Sequence, residues 1–430
     1  PTRHRLQAVI LIVLLALVAC WAVILSGNLN GRGASDDLLY HWIAINQFAQ
    51  QWPAPDLSDY ASATTPGYHL VLSVFVKMGL GHTGVQLLAS LWTLALLGTM
   101  CWVVTRHLGR AGALLVMPML ASVYVLFPGI WLLPDNAGWL LVLLIVLLAL
   151  RESPGWGTWA LSGVLLVVLV WLRQVHIWAA APIWLAAWLG TPAQTPSGLL
   201  TLFRSPTQRI GRVLIAIGCT VPAFMTLAWF LGTWGGLVPP MFQDMHQGPN
   251  PATPGFMLMQ LAVLSVFFSP MLLPQLRTVW AHHWRWVLLV GFVGLLLGLL
   301  PSSSYSVEQG RYSGWWNLIN TFPVVADRSP LLVLGSLLGS IALVLWLSLC
   351  TQRDAWIWIG LLVAFTLAQS ANHASWQRYH EPMLLIMLVL ILARSNQTER
   401  AWSRVVLGCV LLMLMLGAIS IITIMTGEPV

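Results

Sequence analysis

The chain has 430 residues, 58% of hydrophobic types and only 8% charged, against roughly 25% charged in soluble domains, which excludes an ordinary water-soluble globule. The net charge is +7, but Lys and Arg sit in short clusters between apolar runs, as the positive-inside bias places them, so no nucleic-acid partner is expected. Without water at bilayer depth the backbone must satisfy itself, which leaves helices or a closed barrel, and apolar runs of about 15–23 residues fit helices.

The first run, Leu6 to Ser26, follows Arg3, His4 and Arg5. At about 20 residues it exceeds a signal-peptide core and reads as a retained first span. A polar stretch, Gly27 to Pro66, follows with Asp36, Asp37, Asp56 and Asp59, no Lys and only Arg32. Such a loop crosses readily to the outside. Ser35-Asp36-Asp37 precedes the periodic Leu38, Leu39, Trp42, Ile45 and Phe48, so either Asp also suits a helix cap. Thr64-Thr65-Pro66-Gly67-Tyr68-His69 closes the loop as a stop-and-start signal.

Further apolar runs lie at 68–80, 84–105, 111–127, 132–150, 157–172, 175–190, 211–232, 257–276, 285–301, 330–350, 355–371, 381–394 and 403–425. The run 68–80 is short and reads as re-entrant or interfacial. Omitting it leaves thirteen crossings. With the N-terminus inside, the joints carrying Arg106, Arg110, Arg151, Arg204, Arg209, Arg212, Arg277, Arg285, Arg353, Arg394, Arg400 and Arg404 all fall on the cytoplasmic side. The expected fold is all-α and polytopic, about 11–14 transmembrane helices in one membrane domain. The Pro/Ser/Thr-rich stretch 191–209 separates an N-terminal module, 1–190, which includes the outer loop 27–67, from C-terminal helices over 191–430. Cys20, Cys101, Cys219, Cys350 and Cys409 lie in or beside apolar runs without a CxxC pair, so neither a disulfide framework nor a metal site is expected.

The outer joints gather polar groups that are costly at membrane depth unless paired or hydrated. These are Asp36, Asp37 and His41; Asp135 and Asn136; Arg173, Gln174 and His176; Glu308, Arg311 and Tyr312; and Asn372, His373, Arg378, His380 and Glu381. Arg173 interrupts an apolar stretch and is functional or ion-paired by default, with Asp135 its expected partner. The histidine spacings match no compact ligand motif. The 25 tryptophans fit interfacial belts first, with Trp42 and Trp376 as candidates for stacking on a sugar ring.

A carboxylate-bearing outer loop above a cationic, membrane-level pocket suits sugar transfer from a lipid phosphate. The carboxylate takes the acceptor's proton, and arginines stabilise the departing phosphate. A large first outer loop with an acidic pair near its start resembles the GT-C membrane glycosyltransferases. Asp37-Leu38-Leu39-Tyr40-His41, then Asp59, then Thr64-Thr65-Pro66-Gly67-Tyr68 resembles the first loop of the dolichyl-phosphate-glucose α-1,2-glucosyltransferases, which reads Asp-Glu-x-Phe-His, Trp-Asp and Thr-Thr-x-Pro-Gly-Leu-Tyr. Leu172-Arg173-Gln174-Val175-His176-Ile177-Trp178 is similar to that family's Arg-Gln-Thr-Asn-Ile-x-Trp. The chain departs from the pattern in three places: the acidic pair is shifted, the Thr-Thr-Pro-Gly stretch is one residue shorter, and Val175-His176 replaces Thr-Asn.

The resemblance implies a GT-C fold, a polyprenyl-phosphate sugar donor, and a reaction that needs no metal or other cofactor. The acceptor would be a glycan, lipid or protein hydroxyl, and the enzyme a multi-pass protein of a bacterial inner membrane whose site faces the periplasm. The expected mechanism is inverting, with Asp37 as general base and Asp36 as second choice. Arg173 is expected on the donor phosphate, with Arg378 or His380 assisting. Thr64, Thr65 and Gln174 would shape the donor pocket. His41, Asp59, Asp135, Asn136, His176 and Glu381 complete the candidates. Two rivals stand beside this reading. One is a flippase or transporter, expected to bind at the bilayer midplane between discontinuous helices. The other is a polymerase or ligase of lipid-linked glycans, for which the loop 302–329 with Glu308, Arg311 and Asp327 is the relevant feature.

Overall fold

A computed structural model describes residues 2–28, 30–191, 206–246 and 248–427. Most of the 191–209 linker lies outside the described residues. In chain order the helices are α1 (Thr2–Leu25), α2 (Arg32–Asp36), α3 (Trp42–Gln51), α4 (Gly67–Lys77), α5 (His82–Leu108), α6 (Met117–Ala121), α7 (Val123–Ile130), α8 (Asp135–Ala149), α9 (Trp156–Leu172) and α10 (Ala180–Leu189). They continue with α11 (Pro206–Trp234), α12 (Thr253–Val266), α13 (Ser269–Leu299), α14 (Trp315–Asn320), α15 (Pro330–Ser348), α16 (Gln352–Ser370), α17 (Gln377–Arg394), α18 (Asn396–Arg400) and α19 (Trp402–Thr426). Among the described residues there is no strand, only isolated bridges at Ser306–Arg311 and Val325–Arg328.

Helix ends sort into two groups. At one end Arg353 donates to the carbonyls of Gly190 (2.7 Å) and Ala149 (2.9 Å), while Arg394 bonds Asp354 (2.8 Å) and the Leu150 carbonyl (3.2 Å). Two side chains thus satisfy carbonyls that the C-termini of α8 and α10 leave open. The outer loops and the starts of α8, α12 and α17 gather at the opposite end. This polytopic, all-helical architecture agrees with the sequence.

Six of the described helices (α1, α5, α11, α13, α15 and α19) are long and apolar enough to cross a bilayer by length and composition. Two shorter segments, Arg110–Ala121 and Val123–Ile130, pass the same test together and meet at 73°, as in a broken span or a re-entrant loop. The eleven-residue α4, about 16 Å long at ~1.5 Å per residue, is too short to cross. Runs 257–276 and 285–301 are divided differently from expectation. The chain turns at Phe267–Phe268, where Ser269-Pro270 opens α13, and residues 277–285 lie inside that helix, which kinks at His283.

The core is built around α17, where every residue from Tyr379 to Ala393 is buried. Only Arg378 and Arg394, near its two ends, are less enclosed. Small residues let neighbouring helices approach, the main packing device where lipid removes any hydrophobic drive between helices. Gly294 lies against Ser336 and Ser340 of α15, and Ser336 Oγ donates to the Gly294 carbonyl at 2.6 Å.

Candidate active site

A cavity of about 500 Å³ lies at the loop-rich end. Its charged wall comprises Arg32, Asp36, Asp135, Arg173 and Arg378, with Tyr40, His41, Thr64, Gln174, Tyr312, Trp376 and Tyr379 beside them. These residues come from the first outer loop, the starts of α8 and α17, the end of α9, and the loop 302–329.

Local structure explains how they converge. At Arg173 the backbone turns extended (φ −159°, ψ 101°) and ends α9, and a 3-10 turn, Gln174–Ala179, leads into α10. Thr65 Oγ1 donates to the Val170 carbonyl (2.6 Å), one of the groups left open at that end. Gly67 sits so close that an added Cβ would be 2.6 Å from the Trp171 carbonyl oxygen, which accounts for the glycine. Gln174 fastens the junction: its Oε1 accepts from Thr65 N (3.0 Å), and its Nε2 donates to the carbonyls of Ala63 (2.9 Å) and Leu237 (2.8 Å). The two sequence motifs therefore dock on each other.

The acidic pair divides. Asp36 lines the cavity and bonds Arg378 Nη1 at 2.6 Å. It makes no capping hydrogen bond to the helix that follows. Asp37 is fully buried and does not line the cavity. Its carboxylate accepts from Gln86 Nε2 (2.9 Å) and Leu132 N (3.3 Å) and pairs with His82 Nε2 (3.0 Å). Asp37–His41 forms a single π-helical turn, a local rewinding frequent at functional sites.

Two arginine–carboxylate pairs face the cavity. Arg173 is ion-paired with Asp135, its expected partner, and both are buried. The guanidiniums of Arg173 and Arg378 lie 5.3 and 5.2 Å from the centre of the Tyr379 ring, and Arg378 also lies 5.1 Å from the centre of the Trp376 ring. Arg32 sits 4.9 Å from the centre of the Tyr312 ring. Cation–π contacts hold these side chains without using up their N–H donors. Counting formal charges on this wall, three arginines face two aspartates. His41 Nδ1 is 2.8 Å from His69 Nε2, and burial pushes the His41 imidazole down to about 3, so it is neutral in ordinary buffers.

Other candidates lie outside the cavity wall. Asp59, half-buried, accepts from Met241 N at 3.2 Å. Asn136 ties α8 to Thr93 (2.6 Å) and to the Val125 carbonyl (2.7 Å). His176 is buried against Trp139, with ring centres 4.8 Å apart. His380 bonds Gln260 (3.1 Å), and Glu381 bonds Ser122 and Gln377. In the loop 302–329, Arg311 bonds the Ser304 carbonyl (2.6 Å) and Gln309, Asp327 bonds Ser304, and Glu308 is exposed. That loop reaches the cavity through Tyr312. Among the described residues, no three His, Cys, Asp or Glu side chains gather as a metal-ligand set.

Sequence reasoning passed over Tyr379 and the pair His82 and Gln86. The last two stand four residues apart on α5 and so share a face, the one signal that could have marked them as partners of a buried carboxylate. No family model and no curated protein matches the chain. Two solved structures align with 97% of it, both crystal structures of ArnT from Cupriavidus metallidurans. The form bound to undecaprenyl phosphate is 14% identical, with 71% of that chain covered and a TM-score of 0.49. The apo form is 16% identical, with 77% covered and a TM-score of 0.44.

Proposed function

We propose that this chain is a membrane glycosyltransferase of the GT-C type, moving a sugar from a polyprenyl phosphate to an acceptor hydroxyl with Asp36 as general base. The observation that carries the reading is the pairing of a cavity-facing carboxylate, Asp36, with Arg378, beside a second buried pair, Arg173 and Asp135. A phosphodiester donor carries one negative charge, and the wall holds one cation in excess. The donor phosphate lies against Arg173 and Arg378, which supply charge-assisted hydrogen bonds. As the phosphate engages Arg378, Asp36 gives up its hydrogen bond to that guanidinium and its oxygen turns to the acceptor hydroxyl.

The acceptor's O–H proton then passes to Asp36, the acceptor oxygen bonds the sugar's anomeric carbon, and the bond from that carbon to the phosphate oxygen breaks. Its electron pair leaves with the polyprenyl phosphate, whose added negative charge the arginines stabilise. A single displacement inverts the anomeric centre. No metal is assigned a step. Asp37 is a positioning residue in this scheme, holding the turn that aims Asp36.

The test is a transfer assay in nanodiscs with a panel of radiolabelled polyprenyl-phosphate sugars and a membrane extract as acceptor source. Asp36→Asn is expected to lower transfer about 10²–10⁴-fold with normal folding, the usual range for loss of a general base. Full activity in that variant removes Asp36 from the mechanism.

A further inference from the structure

His41 and His69 stand 28 residues apart in the chain and meet behind the cavity wall. The π-helical turn that starts at Asp37 ends on His41. The close seat of Gly67 on Trp171 fixes the start of α4, whose first turn holds His69 fully buried. The two rings lie nearly parallel, 13° apart, with His41 Nδ1 2.8 Å from His69 Nε2. Burial pushes the His69 imidazole well below its ordinary range, as it does that of His41, so both rings are neutral and each carries one proton.

Neutral partners leave two arrangements for the shared hydrogen bond. If His41 Nδ1 donates, the proton of His69 sits on its Nδ1, which is buried without a partner. If His69 Nε2 donates, that buried Nδ1 is a bare lone pair. An orphaned buried N–H is the rarer defect, so His69 Nε2–H donates and His41 Nδ1 accepts. The proton of His41 is then on Nε2. His41 lines the large cavity, and its Nε2 is neither bonded within the protein nor sealed from solvent. The first outer loop sets Ser62 and Thr64 into the wall of the same cavity, their hydroxyls 3.1 Å apart.

We propose that His69 locks His41 as a neutral N–H donor, and that His41 reads a hydroxyl of the sugar being transferred. The inference rests on the glycosyl-transfer reading above and names the residue that selects among donors. The arginines answer the charge of the donor phosphate. His41, Ser62 and Thr64 bring uncharged donors and acceptors, the complement of sugar hydroxyls. The bond to His69 sets the tautomer before the sugar arrives, so binding does not have to select it. A site that hydrogen-bonds a hydroxyl rejects the analogue lacking it, because the protein group is then left unpaired. His41 is thus a specificity-determining residue, and His69 is a positioning residue that acts through it.

The test uses two measurements on the protein in nanodiscs, with the polyprenyl-phosphate sugar that the donor panel selects and its monodeoxy analogues. In the first, transfer is measured for wild type, His41→Phe and His41→Gln. Removing one particular hydroxyl is expected to lower kcat/KM of wild type about 10–100-fold but that of His41→Phe by less than about threefold. His41→Gln, whose amide can still donate, is expected to recover part of the discrimination. A merely structural role would lower transfer of every donor by the same factor. That result, with the same penalty at each hydroxyl in wild type and His41→Phe, overturns the proposal. In the second, histidine is isotopically labelled at its ring nitrogens for magnetic resonance, and the His41 signals are identified by their loss in His41→Gln. A proton on Nε2, with a resonance that moves on adding the sugar donor and not on adding bare polyprenyl phosphate, is the expected result. A proton on Nδ1, or an equal movement with both ligands, overturns it. If no donor in the panel is turned over or moves the resonance, the transferase reading falls and the sugar contact with it. A proton found on Nε2 would then leave the locked tautomer standing alone, so the two failures are distinguishable.

Discussion

Asp36 and Asp37 are neighbours in the chain and do different work. Consecutive residues of a helical turn point in well-separated directions, so a motif that fixes an acidic pair does not say which member meets the cavity. That depends on what the other packs against, here His82 and Gln86 from an element 45 or more residues away. The resemblance, aligned on His41, put Asp37 in the place of the family's Asp; of the two, Asp36 is the one that lines the cavity, and it is the base in the proposed mechanism. Asp37→Asn keeps one acceptor oxygen and loses the charge facing His82. It is expected to destabilise the protein by about 1–3 kcal/mol, as when a buried hydrogen-bonded group loses a partner, and to lower transfer less than Asp36→Asn does. A thermal melt in nanodiscs beside the transfer assay separates the two; an Asp37→Asn protein that melts normally and transfers nothing would return Asp37 to the catalytic role. His41 supplies a second residue-scale test. Its imidazole, pushed down to about 3 by burial, stays neutral as pH falls through the ordinary histidine range near 6.5. His41→Asn is therefore expected to leave the shape of the pH–rate profile between pH 5 and 8 unchanged, and loss of an acid limb in the variant would show that His41 titrates there.

At the scale of elements, the joints that gather around the cavity were readable because hydropathy and charge alternate in register. The break after Leu172 was readable because Arg and Gln interrupt an apolar run. The division between α12 and α13 was harder. His282-His283-Trp284-Arg285 has the polar look of a joint, and the helix does break there, where His283 leaves the helical region (φ −138°, ψ 24°) with its neighbours exposed. The additional turn after α12 carries the quieter Ser269-Pro270 signal, with Pro at the helix start. Packing between passes was not legible at all, since a glycine's close neighbour is known only once the helices are placed. Gly294→Leu is expected to be destabilising by about 1–3 kcal/mol through overpacking, because an added Cβ would stand 2.6 Å from Ser340 Cβ and 2.8 Å from the Ser336 carbonyl oxygen. Arg353, 2% exposed, joins the ends of α8 and α10 to Asp354. Arg353→Met leaves those carbonyls unpaired and Asp354 with Arg394 alone, and it should cost about 3 kcal/mol. Melting of each variant in one detergent, against wild type, checks both figures; a wild-type midpoint for Arg353→Met would show that the knot is not a structural support.

At the scale of the whole molecule, two ends with different chemistry face opposite sides of a membrane. One holds the cavity and its ion pairs; the other holds the Arg353–Asp354–Arg394 knot and most of the clustered arginines. Positive-inside bias assigns the second end to the cytoplasm, and that assignment places the proposed reaction on the outer face. The structure offers positions that test it directly. Ser58 is exposed in the first outer loop and Asn396 is exposed at the start of α18, while the native cysteines are buried or half-buried. In a cysteine-free background, Ser58→Cys is expected to react with a membrane-impermeant maleimide on intact cells, and Asn396→Cys only after permeabilisation. The reverse pattern would turn the cavity toward the cytoplasm. The helical architecture would survive that result, because it rests on packing. The reading of an outer-face transfer from a lipid phosphate would not, because it requires the Asp36–Arg378 pair to meet a donor whose head group already lies on that side.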